Sequence, residues 1–146
     1  MTQFIAHRGN LNGPEPTFEN KIEYLSHAYN TCGAVECDIQ MHDGQLYFGH
    51  KDPREKVVVD LIMQDNWFCH AKDLESLSKL LDLNAHCFWH QKDTVTLTSR
   101  GYIWCYPHIH PPDSKRAVWT DFDDEFVTVD SMNQIDAWGL CSDTRK

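Results

Sequence analysis

Short apolar runs, separated by polar segments rich in glycine and proline, predict a chain made mostly of strands. The runs that predict strands are residues 3–7, 34–41, 45–50, 67–72, 86–90, 96–108, 126–132 and 137–143, where 96–108 holds two strands around a Ser-Arg-Gly turn. The His-Asp-Gly turn between 34–41 and 45–50 predicts a hairpin. The segments predicted as loops are 8–18, 51–66 and 110–116.

Two segments instead have apolar residues at helical spacing. In residues 19–31 these are Ile22, Leu25, Ala28 and Tyr29, and Gly33 suits the end of a helix. In residues 73–83, Asp73 is suited to cap the helix. The apolar face of this second helix, for which we expect core packing, comprises Leu74, Leu77, Leu80 and Leu81.

This order of elements predicts the fold class. Strands that alternate with helices in the first half of the chain indicate an α/β domain with parallel strands. The second half has too little chain between its strands for full crossover helices. A standard eight-fold barrel takes about 250 residues, whereas this chain has 146. We therefore expect a single domain over residues 1–146, a reduced TIM-type (β/α) barrel whose later helices are shortened to loops.

Charge and composition narrow the range of partners. The chain has 13 Lys and Arg against 22 Asp and Glu, a formal charge of −9. A general nucleic-acid binder needs basic residues to displace counterions from phosphates, so we expect no nucleic-acid partner. A local site can still bind one small phosphate-bearing substrate. We expect no signal peptide, and no apolar run approaches the roughly 20 residues of a membrane helix.

The cysteines indicate the compartment. Cys37, Cys69, Cys87 and Cys105 lie in apolar, strand-like runs, where a reduced cysteine acts as a small hydrophobe. The six cysteines are scattered, without the paired spacing of a zinc ribbon. We expect a reducing, cytoplasmic environment.

Polar residues collect where the predicted strands end. Glu36 and Asp38 are two apart on one strand, so both side chains face the same way and Cys37 faces the other. Two adjacent carboxylates repel each other unless a cation lies between them, which indicates a Mg²⁺ or Ca²⁺ site. His70 and Lys72 are also two apart on one strand.

Further polar residues follow other strand ends, and His7, Arg8, His50 and His90 are among them. In a parallel barrel all such ends open on one rim, which carries the active site. His7 and His50 could transfer protons, while Arg8 and Lys72 could bind an anion. Together with a cation, this combination suits cleavage of a phosphate ester.

The segments 4–25 and 34–52 resemble the glycerophosphodiester phosphodiesterases, a family within the phospholipase C-like phosphodiesterase superfamily. They carry the HRG, ExD and DG motifs in order, with FEN in place of the PENT-type segment and GHKD in place of HD. Residues 68–72, 88–107 and 139–143 resemble a short branch of that superfamily. The resemblance implies a TIM-type barrel, a divalent cation, and hydrolysis to glycerol 3-phosphate and an alcohol.

Carried over by position, the resemblance also implies roles for single residues. His7 and His50 match the acid and base, and Arg8 and Lys72 match residues that contact the phosphate. The matched metal ligands are Glu36, Asp38 and Glu19. One departure is His70, which stands where the common family has a further glutamate ligand. An imidazole there can bind the metal but removes one negative charge, which weakens the binding of Mg²⁺ or Ca²⁺ and favours a softer ion. The expected cofactor is one divalent cation, Mg²⁺ or Ca²⁺, with Mn²⁺ as an alternative.

Two alternatives remain open at this point. The substrate could be another phosphodiester, lipid or sugar. A lipid would suit an aromatic rim, which could be supplied by Trp67, Trp89, Trp104 and Tyr106, although core packing is the commoner use of such residues. The chain could also bind a phosphodiester without turning it over. A reduced barrel exposes strand edges that loops or a second copy would cover, so a homodimer is a candidate assembly.

Overall fold

A computed structural model describes residues 1–122 and 129–145 of the chain, with side chains at 1–122 and 131–145. The strands in these ranges are β1 (Gln3–His7), β2 (Val35–His42), β3 (Gln45–Phe48), β4 (Glu55–Lys56), β5 (Trp67–Ala71), β6 (Cys87–Phe88), β7 (Val95–Leu97), β8 (Ile103–Cys105), β9 (Asp113–Thr120) and β10 (Ala137–Ser142). The helices are α1 (Ile22–Cys32), α2 (Val59–Ile62), α3 (Leu74–Asp82) and α4 (Val129–Met132). The predicted mixed α/β class is confirmed.

The strands form one ten-stranded sheet that is mainly parallel. Its parallel part runs in the order β6-β5-β2-β1-β10-β9-β8. The hairpin strand β3 pairs antiparallel with the end of β2 and carries β4, and β7 pairs antiparallel with β8. Because the central strands are parallel, their carboxyl ends meet at one edge of the sheet.

The two faces of the sheet carry different cores. The outer face packs against α1 and α3 through buried residues such as Cys37, Cys69 and Leu80. Residues that alternate with these face inward and form a second cluster: Ile5, Ala34, Phe68, Phe88, Trp104, Val118 and Cys141. The rings of Phe88 on β6 and Trp104 on β8 stack with centroids 4.4 Å apart. β6 and β8 are the two outermost strands of the parallel part, so this contact between their side chains requires the sheet to be strongly curved.

The two longer helices follow their sequence signals, with one error. α1 ends at Gly33, whose φ of 83° allows its N–H to bond the Tyr29 carbonyl. Asp73 caps α3 by accepting the Ser76 N–H at 2.7 Å. The predicted core face of α3 is wrong at Leu74 and Leu81, which are 71% and 53% exposed, because α3 turns Ser76 and Leu80 towards the sheet. No helix within the described residues is long and apolar enough to cross a bilayer.

Three other predictions of local structure differ from the structure. The loop predicted over 110–116 overlaps β9, whose Asp113 carboxylate accepts the N–H groups of Lys115 and Arg116 before the buried half of the strand begins. The strand predicted over 126–132 is helical at Val129–Met132, and residues 126–128 lie outside the described ranges. A single helical turn is too short for periodicity to separate it from a strand. The segment 51–66, predicted as a loop, contains the short elements β4 and α2.

The expected burial of cysteines in strands is confirmed. Cys37, Cys69, Cys87 and Cys105 are 1% exposed or less. Burial raises the pKa of the Cys105 thiol to about 11, and it also raises the pKa of the Cys37 thiol. These thiols are therefore packing groups rather than nucleophiles.

Candidate active site

A cavity of about 800 Å³ opens at the carboxyl ends of the parallel strands. Seven of the eight predicted site residues line it: His7, Arg8, Glu19, Glu36, Asp38, His50 and His70. The eighth, Lys72, follows β5 and does not line this cavity. A volume of this size suits a small-molecule ligand.

Glu36 carries a buried carboxylate, and among the described residues only one of its two oxygens has a hydrogen-bond partner. It is 2% exposed, and its Oε2 accepts the backbone N–H of Arg8 at 3.3 Å. Among the described residues, its Oε1 has no hydrogen-bond partner. Burial and the nearby charge of Asp38 raise the pKa of Glu36 to about 7. An orphaned buried oxygen of this kind is costly, which marks the group for a ligand.

Asp38 lies beside Glu36 but is held by several donors. Its Oδ2 accepts an N–H from the Asn20 side chain at 2.9 Å and pairs with Arg8 Nε at 3.0 Å. Asn20 also accepts the Asp38 backbone N–H at 2.9 Å. Burial alone would raise the pKa of Asp38, but its contact with the His50 ring and the charge of Arg8 lower it well below its usual range. Asp38 is therefore a fixed anion at neutral pH.

His70 faces this acidic pair with one nitrogen. Its Nε2 lies 2.9 Å from the His90 carbonyl oxygen, which can only accept, so Nε2 carries the ring proton. Its Nδ1 lies 3.6 Å from Asp38 Oδ1. Burial lowers the pKa of His70 to about 4, against the opposing charge of Asp38, so the ring is neutral at pH 7. Ligand atoms of Glu36, Asp38 and His70 lie within 4.8 Å of one another.

Glu19 occupies a different part of the cavity network. Its Oε1 accepts N–H bonds from the Asn10 side chain at 2.9 Å and the Glu15 backbone at 3.1 Å. Its Oε2 pairs with Arg8 Nη1 at 3.4 Å. Both oxygens are thus engaged in holding the loop between β1 and α1 and the Arg8 guanidinium.

Arg8 connects the carboxylates to the second histidine. Besides its pairs with Asp38 and Glu19, its Nη2 lies 2.9 Å from His50 Nδ1. Arg8 has a φ of 55°, an uncommon conformation for a residue with a side chain. Strain of this kind persists where the surroundings enforce it, and it concentrates at functional sites.

His50 is placed by a tight turn after β3. The Gly49 N–H bonds the Asp38 carbonyl at 3.0 Å. A Cβ at Gly49 would overlap the Asp52 carbonyl oxygen, so only glycine fits there. Because Arg8 only donates, His50 Nδ1 accepts in their contact, and the ring proton is on Nε2.

His7 is oriented by a partner that the sequence reasoning missed. Its Nδ1 lies 2.7 Å from Asp143 Oδ1, and its Nε2 lies 3.6 Å from Glu36 Oε2. Asn10 also donates to Asp143 at 2.8 Å. Burial lowers the pKa of His7, but the bond to Asp143 and the charges of Glu36 and Asp143 outweigh it and raise the pKa overall. The available signal was the position of Asp143 at the carboxyl end of the last predicted strand.

The aromatic residues divide between the core and the cavity. Trp104 and Tyr106 line the cavity, as does Phe122, whose ring lies 4.4 Å from that of His7. Trp67, a candidate for an aromatic rim, is instead fully buried in the outer core. Trp89 packs against the outer core.

No protein-family model, no curated protein and no solved structure matches this chain. The resemblance to the phosphodiesterases therefore depends on the motif residues themselves. The motif residues that line the same cavity include His7, Arg8, Glu36, Asp38 and His50.

Proposed function

We propose that this chain is a metal-dependent phosphoric diester hydrolase, similar to the glycerophosphodiester phosphodiesterases, that releases glycerol 3-phosphate and an alcohol. The observation that carries the proposal is a single cavity holding His7, His50, Arg8 and the cluster of Glu36, Asp38 and His70. Two histidines with different proton positions suit acid–base chemistry. Binding alone would need no such pair.

The proposed fold is a reduced (β/α) barrel. Support comes from the inner cluster, to which β1, β5, β6, β8, β9 and β10 each contribute a residue. The Phe88–Trp104 stack brings together the ends of the parallel order. In a barrel of this kind the active site lies at the carboxyl ends of the strands.

The residues fit a divalent cation. Three atoms are suitable donors: Glu36 Oε1, which has no partner in the described part of the chain, a carboxylate oxygen of Asp38, and the unprotonated Nδ1 of His70. When bound, the ion would act as a Lewis acid that offsets charge on the phosphoryl oxygens.

The remaining steps belong to the chain's own side chains. Arg8 binds the phosphate through charge-assisted hydrogen bonds. Asp143 holds His7 by Nδ1, so the neutral ring offers Nε2 to take a proton from the attacking group, a water molecule or a substrate hydroxyl. If a substrate hydroxyl attacks, the alcohol leaves and a cyclic phosphate ester forms, which water must then open to give glycerol 3-phosphate. His50, which carries a proton on Nε2, is suited to donate to the leaving alkoxide. These assignments make His7 the general base and His50 the general acid.

The proposal is tested by hydrolysis of glycerophosphocholine with chelator-treated protein and ions added back. We expect ion-dependent release of glycerol 3-phosphate that falls by roughly 10²–10⁴-fold in His7→Ala and in His50→Ala. His27→Ala, on the exposed side of α1, is the matched control and should keep full activity. Normal rates in both site variants would refute the assignment, and binding without turnover would favour a binding module.

A lipid phosphodiester is the second candidate substrate. It is favoured by Tyr106 and Phe122, which line the cavity and are 42% and 37% exposed. Lysophosphatidylcholine assayed beside glycerophosphocholine separates the two cases. Faster turnover of the lipid, reduced by Tyr106→Ala, would favour it, whereas equal sensitivity of both substrates to that change would not.

A further inference from the structure

We propose that Glu36, Asp38 and His70 select a first-row transition ion that accepts a nitrogen ligand, such as Mn²⁺, Co²⁺ or Zn²⁺, over Mg²⁺ and Ca²⁺. The inference concerns the same cavity as the proposed function and depends on it only for the presence of a cation. It names the ligand set and the class of ion.

The first support is the direction of the His70 ring. The His90 carbonyl oxygen accepts the proton of Nε2 at 2.9 Å, which leaves Nδ1 with a free lone pair. A backbone carbonyl that fixes the tautomer of a metal-binding histidine in this way is a common second layer around a metal. The Phe88 ring stacks on His70 at 4.8 Å and further restricts its rotation.

The second support is the group that this lone pair faces. Nδ1 lies 3.6 Å from Asp38 Oδ1, too far for a hydrogen bond and with no proton between the atoms. A lone pair directed at a carboxylate is unfavourable unless a cation lies between them. Independent evidence of a missing partner is Glu36 Oε1, which has no hydrogen-bond partner among the described residues and belongs to a side chain that is 2% exposed.

The third support is that Glu19 is already occupied. Its two oxygens accept from Asn10, Glu15 and Arg8, so it stabilises the loop and the guanidinium rather than completing the ligand set. The cluster therefore offers two carboxylates and one imidazole. Mg²⁺ and Ca²⁺ prefer oxygen ligands throughout, whereas transition ions bind imidazole readily.

The test measures binding rather than turnover. Chelator-treated full-length protein is titrated calorimetrically with Mn²⁺, Mg²⁺ and Ca²⁺, and the Mn²⁺ complex is examined by pulsed electron paramagnetic resonance. We expect Mn²⁺ to bind at least on the order of tenfold more tightly than Mg²⁺ or Ca²⁺. We also expect nitrogen hyperfine coupling from a bound imidazole.

Variants assign the nitrogen to His70. His70→Glu should remove the coupling and narrow the preference for Mn²⁺, and His27→Gln should change neither. Glu19→Gln should keep the coupling. Circular dichroism checks folding, and if His70→Glu does not fold, His70→Gln takes its place.

The outcomes separate this inference from the proposed function. It is overturned if wild type binds no ion, if Mg²⁺ or Ca²⁺ binds as tightly as Mn²⁺, or if no nitrogen coupling is seen. Hydrolysis supported by Mg²⁺ with all-oxygen ligation would overturn the inference and keep the function. Nitrogen-ligated Mn²⁺ without phosphodiester hydrolysis would support the inference and refute the proposed function.

Discussion

Replacing Glu36 by glutamine is expected to stabilise the metal-free protein. Glutamine keeps the size of the side chain and an oxygen that can accept the Arg8 backbone N–H, but it carries no charge. The native carboxylate is 2% exposed and has one oxygen without a partner among the described residues. Ionising it in the folded state is therefore costly.

The magnitude follows from the displaced pKa. Burial and the charge of Asp38 raise the pKa of Glu36 from 4.5 to about 7. Between these pH values the Glu36 carboxyl group keeps its proton in the folded state but has lost it in the unfolded chain. Stability then falls as the pH rises through that range, and the loss is complete above it. At about 1.4 kcal/mol per pH unit, the displacement corresponds to about 3 kcal/mol.

The assay is urea unfolding of chelator-treated wild type and Glu36→Gln. We expect the free energy of unfolding of the variant to exceed that of wild type by up to about 3 kcal/mol near pH 8 and by little near pH 5. Glu23→Gln, at an exposed position on α1, is the matched control and should show neither gain nor pH dependence. An advantage that is absent near pH 8, or equal at both pH values, would refute the reasoning.

Three further predictions concern other residues. Asp143→Asn should lower kcat by roughly 10²–10⁴-fold and move the limb of the pH–rate profile assigned to His7 to lower pH, because the bond to Asp143 raises that pKa. Gly49→Ala should reduce kcat by displacing His50, measured with the same hydrolysis assay. His86→Gln should make the protein less sensitive to acid. Burial lowers the pKa of His86 to about 4, so the free energy of unfolding of wild type falls by up to about 3 kcal/mol as the pH falls from 6.5 towards 4. Urea unfolding measures this loss, which should be absent in the variant.

Two of these predictions have a matched control variant. Gly101 also has a positive φ, but a Cβ there meets nothing within 4 Å, so Gly101→Ala should leave kcat unchanged. His42→Gln, at an exposed position, should leave acid sensitivity as in wild type. An Asp143→Asn variant with the wild-type pH profile would contradict the pairing with His7, and a fully active Gly49→Ala would contradict the role of the turn.

Strand alternation explains why much of the site could be predicted from sequence. Glu36 and Asp38 face the cavity and Cys37 faces the helices, as a period of two requires. His7 and His70 lie at the carboxyl ends of parallel strands, and these ends meet at one edge of the sheet regardless of the conformation of the connecting loops. These placements depend only on local periodicity and strand direction.

Features that depend on long-range pairing could not be predicted. The His7–Asp143 bond joins residues 136 positions apart, and only the pairing of β1 with β10 brings them together. The rotation of α3 that exposes Leu74 is set by the sheet it packs against. β9 begins with exposed polar residues, so its pattern of hydrophobic and polar residues is typical of a strand only over its last half.

The most direct measurement of the central claim is phosphorus NMR of glycerophosphocholine incubated with the protein. We expect the phosphodiester signal to be replaced by that of glycerol 3-phosphate when Mn²⁺ is present, and no change after chelation or with Glu36→Gln. A phosphodiester signal that persists with Mn²⁺, Mg²⁺ and Ca²⁺ alike would contradict the assignment of this cavity as a glycerophosphodiester hydrolase site.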